Sequence, residues 1–438
     1  MARAPAGRCY NAWMRLPRIL LVRQHFPDRS IKDIPGTVLR TLAEAGFGTR
    51  LKPGARVAIG VGSRGITNLF AIVKAVVDYW KQQGMRPFIF PAMGGHGAAT
   101  AEGQAEVLAH YGIHEAALGC PVISTLEVVP LGATPEGIDT YLDRAAYESD
   151  GVLLVSRVKW HTNFIGKLES GMFKMMAIGL GKFAGAQKYH TYAYRMGLEN
   201  VIRSVGRQVL KSGKILGGLA ILEDAYHNTG WLEAVPIERM EQREEELLEM
   251  VKSWAGRIPA PELDILIVDE LGKDISGAGM DTKIINRTVE AERNPFSFAP
   301  RIERIFVRDM SALSYGNAVG IGLADVVTHR LARKVDPAAT YVNAMTASNP
   351  EASRVPIHYA TDRECLEALA PTVGRLDTAD VTIGWIRNTM ELAVLGLSEN
   401  LRGVIEQNPM LEILGPAQDL PFDADGNLVS PLPRSGSH

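Results

Sequence analysis

The 438-residue chain carries 47 Lys and Arg against 49 Asp and Glu, and its net charge of −2 argues against a general nucleic-acid or membrane-surface binder. A hydrophobic content of 46% and a charged content of 22% are ordinary globular values, and the length exceeds one ordinary core, so two domains are expected. No apolar run reaches membrane-spanning length, and three scattered cysteines (Cys9, Cys120, Cys365) with no CxxC argue against a cysteine zinc site and for a reducing compartment, by default the cytoplasm.

In chain order, a basic, ragged lead-in precedes a short apolar patch at residues 19–22, which Arg23 ends too early for a signal-peptide core; residues 18–22 read as a first strand. Residues 34–45 have the spacing of an amphipathic helix, and Leu51-Lys52-Pro53-Gly54 is a turn. Residues 56–61 (RVAIGV) form a second predicted strand, followed by a helix over 67–83 that Gly84 stops. Residues 87–91 (PFIFP) are a third strand, and 101–110 another helix. Strands at 151–155 and 215–222 continue the pattern. The charged helix 237–254 reads as a solvated face, and 255–261 as a linker. A second α/β pattern follows, with strands at 264–268, 302–308 and 381–386 and a helix ending near Lys334. The tail after Gly415, rich in Pro, Gly and Ser, is expected to be poorly ordered at its end. Alternating strands and helices predict an α/β fold: two α/β domains with mainly parallel sheets and a cleft between them. The expected boundaries are 1–257 for the N-terminal domain and 258–399 for the C-terminal domain, with 400–438 packing back on the first.

Three predicted strands end in polar, Gly-flanked residues: Ser63 and Arg64, His96 in Met93-Gly94-Gly95-His96-Gly97, and Lys159 with His161. Carboxyl ends of strands are where parallel sheets bind ligands. The stretch from Gly151 to His190 is the densest: after its apolar strand it carries Lys159, His161, Lys167, Glu169, Lys174, Lys182, Lys188 and His190 among five glycines. Glycines at this density let backbone approach a bound group, and the basic residues suit an anion. Singly, each of these side chains reads as a solvated charge or an ordinary loop histidine. Their clustering carries the functional reading.

No HExxH, HxH, Walker A loop or GxSxG elbow is present. Gly60-Val61-Gly62-Ser63-Arg64-Gly65 matches GxGxxG between a strand and a helix, but the next strand ends in Phe90-Pro91 instead of the acidic residue of a dinucleotide site, so the loop suits a phosphate or carboxylate. A metal here would need ligands from outside the protein, since a protein-only zinc site takes about three or four. Two candidate acid/base histidines, an arginine able to hold a carboxylate bidentately and several lysines describe an enzyme acting on a small anion, with two bases suited to racemisation or epimerisation.

These residues resemble the nickel-dependent lactate racemase family, over roughly residues 56–330, with the segment from His161 to His190 carrying most of the likeness. The resemblance implies a nickel pincer nucleotide, a pyridinium mononucleotide holding nickel between two sulfurs and a carbon and joined covalently to a lysine. It implies hydride transfer at the α carbon of a 2-hydroxy acid. Cofactor-synthesis proteins would be the chain's partners in the cell. On this reading His96 and His161 are the acid/base pair, Lys174 is the covalent anchor, and His190 is the nickel ligand. Arg64 binds the substrate carboxylate, and Ser63, Arg64 and Lys159 lie on the cofactor. Thirteen residues separate His161 from Lys174, more than in the family, which keeps Lys167 and Lys182 as alternative anchors. The family's acidic residue before the arginine is absent. Its second substrate lysine has no clean counterpart, leaving Asp281, Lys283, Asn286 and Arg287 as candidate substrate contacts. These departures point to a larger substrate, such as a sugar acid. Two other classes compete: a nickel-independent lyase or dehydratase using the same histidines, and a non-catalytic binder of a nucleotide or organic acid.

Overall fold

The structure, a computed structural model, describes residues 15–63 and 65–433. It divides into two units, one of Pro27–Ala255 and the other of Gly256–His438 together with the segment up to Phe26.

The Pro27–Ala255 unit is built on a five-stranded sheet. In spatial order its strands are Arg86–Pro91, Arg56–Val61, Gly151–Arg157, Ile215–Glu223 and Thr229–Pro236. The first four are parallel and the last is antiparallel. Parallel strands are covered on both faces, and the sequence shows this as unbroken apolar runs. The pleat divides each run between two cores. Val57, Ile59, Leu153, Val155, Leu219 and Ile221 pack on one face with the helices Ile34–Glu44 and Leu69–Gln82. Ala58, Val152, Leu154, Ala220 and Leu222 pack on the other, with the helices Leu198–Leu210 and Met240–Trp254. The Ile34–Glu44 helix starts where its chemistry says it should. Asp33 accepts the Gly36 N–H at 2.9 Å, and Pro35 occupies the first turn, where its missing N–H is no loss. A two-stranded ribbon, Val128–Ala133 with Asp139–Asp143, was not expected from the sequence.

The other unit carries an eight-stranded mixed sheet, ordered Ile357–Tyr359, Val326–Thr328, Arg301–Met310, Glu262–Leu271, Ile383–Ile386, Val394–Ser398, Ile19–Gln24 and Leu411–Ile413. Here the expected domain boundaries need correction at both ends. The first strand, Ile19–Gln24, does not belong with residues 27–257. It pairs antiparallel with Val394–Ser398 and Leu411–Ile413. Its pattern of buried Ile19, Leu20 and Val22 fits either sheet, and sequence proximity gave the wrong one. The tail also packs on this unit. Leu420, Leu428 and Leu432 share a core with Ile265 and Trp385, and Ile19 N–H donates to the Gln418 carbonyl at 2.7 Å.

A buried ion network clamps that tail. Arg308 donates to Asp269, to Asp362 and to the Leu428 carbonyl, while Asp362 also accepts the Leu428 N–H at 2.9 Å. Trp385 Nε1 and Ser430 Oγ complete the shell of Asp269. Asp362 has no exposed surface, and Arg308 and Asp269 have 8% and 6%. Removing one member of such a set strands the opposite charges in a dry site. Arg308→Met is therefore expected to cost about 3–5 kcal/mol, read as a lower denaturant midpoint; a midpoint equal to wild type would show the network to be incidental.

Candidate functional site

Three adjacent strands of the first unit, Arg86–Pro91, Arg56–Val61 and Gly151–Arg157, run parallel and end close together, Val61 lying beside both Pro91 and Val155 and the third strand continuing to Arg157. Their outgoing loops therefore leave one sheet edge side by side. Ser63 and His96, from two of these loops, are joined by a hydrogen bond between Ser63 Oγ and His96 Nδ1. His161 lies on the third loop. Its Nδ1 accepts the Asn163 N–H at 3.0 Å, and its ring lies against Phe164 with centroids 4.7 Å apart. In this arrangement the neutral His161 ring carries its proton on Nε2. Lys159 is half-buried, with its own N–H and carbonyl both bonded to Ser170 Oγ. Arg64 lies outside the described residues.

Glu169, wholly buried, organises the His161 loop. It accepts the N–H of His161 at 2.6 Å and of Gly166 at 3.0 Å, and pairs with Lys252 Nζ at 3.0 Å.

The expected anchor and metal ligand follow on two successive helical segments. Met172–Lys174 and a π-helical turn at Met175–Gly179 form the first, and after a turn at 180–181 the helix Lys182–Met196 carries His190. Gly171, at φ +89°, makes the entry, and a Cβ there would meet the Glu244 carboxyl carbon at 2.7 Å. That closeness lets Glu244 accept the Met172 N–H at 2.7 Å and the Phe173 N–H at 3.3 Å. His190 is exposed as a residue, yet its pKa is lowered, first by the protein that withdraws water from its ring and then by the positive charge of Lys174. Lys174 and His190 are thus within electrostatic reach of one another.

The lysines of this stretch separate by environment. Lys167 is exposed, and Lys188 pairs with Asp139 and the Tyr141 hydroxyl, both at 2.7 Å. Lys182, an expected alternative anchor, has no exposed surface and lies 3.1 Å from Asp143 Oδ2. Burial drives Lys182 down and Asp143 up in pKa, each opposed by the other's charge. A lysine enclosed in this way offers no amine to a cofactor. Lys174 is half-buried.

The C-terminal candidates fare differently. Asn286, expected to bind substrate, is 1% exposed and spends its side chain on the 296–300 loop, donating to the carbonyls of Phe296 and Pro300 and accepting the Phe296 N–H. Arg287, 3% exposed, pairs with Asp325 at 2.7 Å and donates to the Glu303 and Leu323 carbonyls. Both are internal braces, and the substrate role expected of them is withdrawn. Asp281 is half-buried, its Oδ1 accepting the Lys283 N–H at 2.9 Å. Lys283 is buried, its ammonium 5.4 Å from the Phe296 ring centroid. A hollow of about 480 Å³ beside Phe173 is lined by Arg203, Arg207, Glu241 and Glu245, whose charges are already paired with one another.

Sequence reasoning missed Glu244, Gln104 and Asp143. Glu244 sits in the helix read as a solvated face, and one cue was available: it falls in step with the buried Leu247, Leu248 and Val251.

No protein-family model matches the chain, and no curated protein matches its sequence. Among solved structures, the chain is similar to the lactate racemase apoprotein from Thermoanaerobacterium thermosaccharolyticum, at 12% identity over 83% of this chain and 99% of that one, with a TM-score of 0.48. It is also similar to a protein from Thermotoga maritima, at 10% identity over 84% and 99% of the two chains, with a TM-score of 0.49.

Burial pushes the Glu244 carboxyl up from 4.5 to about 8, outweighing the two N–H bonds that favour its charge. Below 4.5 folded and unfolded chains both hold the proton, and between there and about 8 only the folded chain does, so stability falls as pH rises through that window and levels off above it. The expected slope is up to roughly 1.4 kcal/mol per pH unit. Glu244→Gln should abolish it, which denaturation across the window would show; an equal slope in both proteins would mean that Glu244 is ionised in the fold.

Proposed function

We propose that this chain is a racemase or epimerase that inverts the α carbon of a 2-hydroxy acid, with a sugar acid as the favoured substrate class, and that it works with a nickel pincer nucleotide. The observation that carries the reading is the placement of Lys174 and His190 on successive helical segments within electrostatic reach of each other. A covalently anchored metal cofactor needs an amine and a metal donor in that relation. The donor set fits chemically. A lowered pKa favours the neutral His190 ring, the form in which imidazole binds metal. Among the described residues no three His, Cys, Asp or Glu side chains converge on a point, so a metal at His190 would take its other donors from the cofactor.

When bound, the cofactor supplies the acceptor for the α hydrogen. The rest falls to this chain's residues. The Ser63 and Asn163 bonds engage Nδ1 of His96 and His161, so proton exchange with the substrate hydroxyl falls to Nε2 of each ring. One ring takes the hydroxyl proton as the 2-keto acid forms, and the other returns a proton for the opposite hand. Arg64 is the proposed carboxylate holder, and Ser63 and Lys159 are proposed to border the cofactor. Among the described residues no helix is long and apolar enough to cross a membrane. A cytoplasmic location is proposed, consistent with the buried free thiols of Cys120 and Cys365.

Co-expression with cofactor-synthesis enzymes should add a covalent mass to the chain and about one nickel per chain, and Lys174→Ala should lose both. Unmodified mass without nickel, under conditions that load a known racemase of this kind, would reject the cofactor. In loaded protein His96→Ala and His161→Ala should each lower kcat by about 10²–10⁴-fold. The α hydrogen should stay largely unexchanged in deuterated solvent; its washing out would move the assignment to a proton-abstracting lyase.

A further inference from the structure

Gln104 and Lys182 are both without exposed surface, and their polar atoms converge beneath the loop that carries His96. Gln104 Nε2 donates to the Gly94 carbonyl at 2.7 Å and to the His96 carbonyl at 3.2 Å. Its Oε1 accepts from Lys182 Nζ at 3.2 Å, and the same ammonium donates to the Pro91 carbonyl at 2.5 Å and faces Asp143 at 3.1 Å. A lysine ammonium has donors only. It therefore forces the Gln104 oxygen toward itself and the amide N–H groups toward the loop. Lys182 adopts φ +52°, a left-handed conformation that a side chain rarely takes, so its position is held by these contacts against a local backbone preference. It is also the first residue of the helix that carries His190.

We propose that Gln104 and Lys182 form a buried relay that fixes the backbone of the His96 loop to the start of the His190 helix, making both positioning residues for the acid/base site. The role given to His96 rests on the proposed racemase reading; the relay itself does not. A second contact runs in parallel: Gly94 N–H donates to the Gly179 carbonyl at 3.3 Å, and a Cβ on Gly94 or Gly179 would come within 2.9 Å of Ile178 O or 2.7 Å of Ala92 O. The loop and the π-helical turn thus meet backbone to backbone, and Gln104 sets the loop's orientation there.

The decisive variant is Gln104→Glu. It keeps the size and the acceptor facing Lys182 but has no N–H for the two loop carbonyls. On the cofactor-free chain, the His96 imidazole NMR signal (assigned by its loss in His96→Gln) should shift and broaden, and amides of residues 93–97 should exchange about tenfold faster. Val38→Ala, a core truncation in the Ile34–Glu44 helix, should lower stability and leave the His96 signal in place. If both variants disturb it alike, or Gln104→Glu leaves it unchanged, the relay is refuted. Should Gln104→Glu not fold, Gln104→Met carries the same readouts. In cofactor-loaded protein Gln104→Glu should lower kcat by about 10- to 100-fold with KM within about threefold. A disturbed His96 signal in a chain that proves not to be a racemase would uphold the relay and reject only the function assigned to the site.

Discussion

One enclosed ammonium holds the first unit's site together. Lys182 is surrounded by the end of the Arg86–Pro91 strand, by Gln104 of the helix Ala101–His110 and by Asp143 at the end of the ribbon. Moving an ammonium out of water costs several kcal/mol, and the cost is offset only where carboxylate and carbonyl oxygens replace its hydration. These oxygens come from separate elements, so the pair stands only when all of them are docked. An apolar side chain would satisfy burial here, but it would not dictate which way the Gln104 amide faces.

Glycine supplies the complementary constraint. The His96 loop and the π-helical turn after Lys174 come so close that a methyl group on Gly94 or Gly179 would overlap a carbonyl oxygen. Gly94 adds φ +62°, a conformation glycine adopts without cost. Polar side chains orient the loop and absent side chains let it approach, and neither works without the other. The same division recurs at Gly171, where the missing Cβ leaves room for the Glu244 carboxyl against the first N–H groups of the Lys174 helix.

The strand ends were legible because apolar runs that stop at glycine and polar residues mark parallel strands, and register does the rest: Ser63 and His96 meet because Val61 and Pro91 are neighbours. The supporting residues were not legible. Lys182 in a glycine-rich run and Glu244 in a charged helix look solvated, since sequence gives residue type and not the number of elements that converge on it. Asn286 and Arg287 misled in the reverse sense. Their place in the family resemblance suggested a substrate contact, whereas the chain uses them to tie its own loops. The first strand was placed by sequence proximity, although an antiparallel edge position beside Val394–Ser398 can be filled from any distance along the chain.

The two histidines are held by different means, and the difference bears on what each ring can do. Ser63 has a hydroxyl, which donates or accepts, so the bond to His96 Nδ1 survives either protonation state of that ring. Asn163 offers His161 a backbone N–H, which only donates, so an imidazolium at His161 gives up that bond. The neutral His161 ring then presents Nε2–H, a donor toward a substrate oxygen, while His96 can take up a proton at Nε2 and keep its partner. The two rings are therefore unequal before any substrate binds. In the proposed reaction that inequality would make one hand of the 2-hydroxy acid begin at His96 with its bond to Ser63 intact, and the other begin at His161 after a change in which ring nitrogen carries the proton.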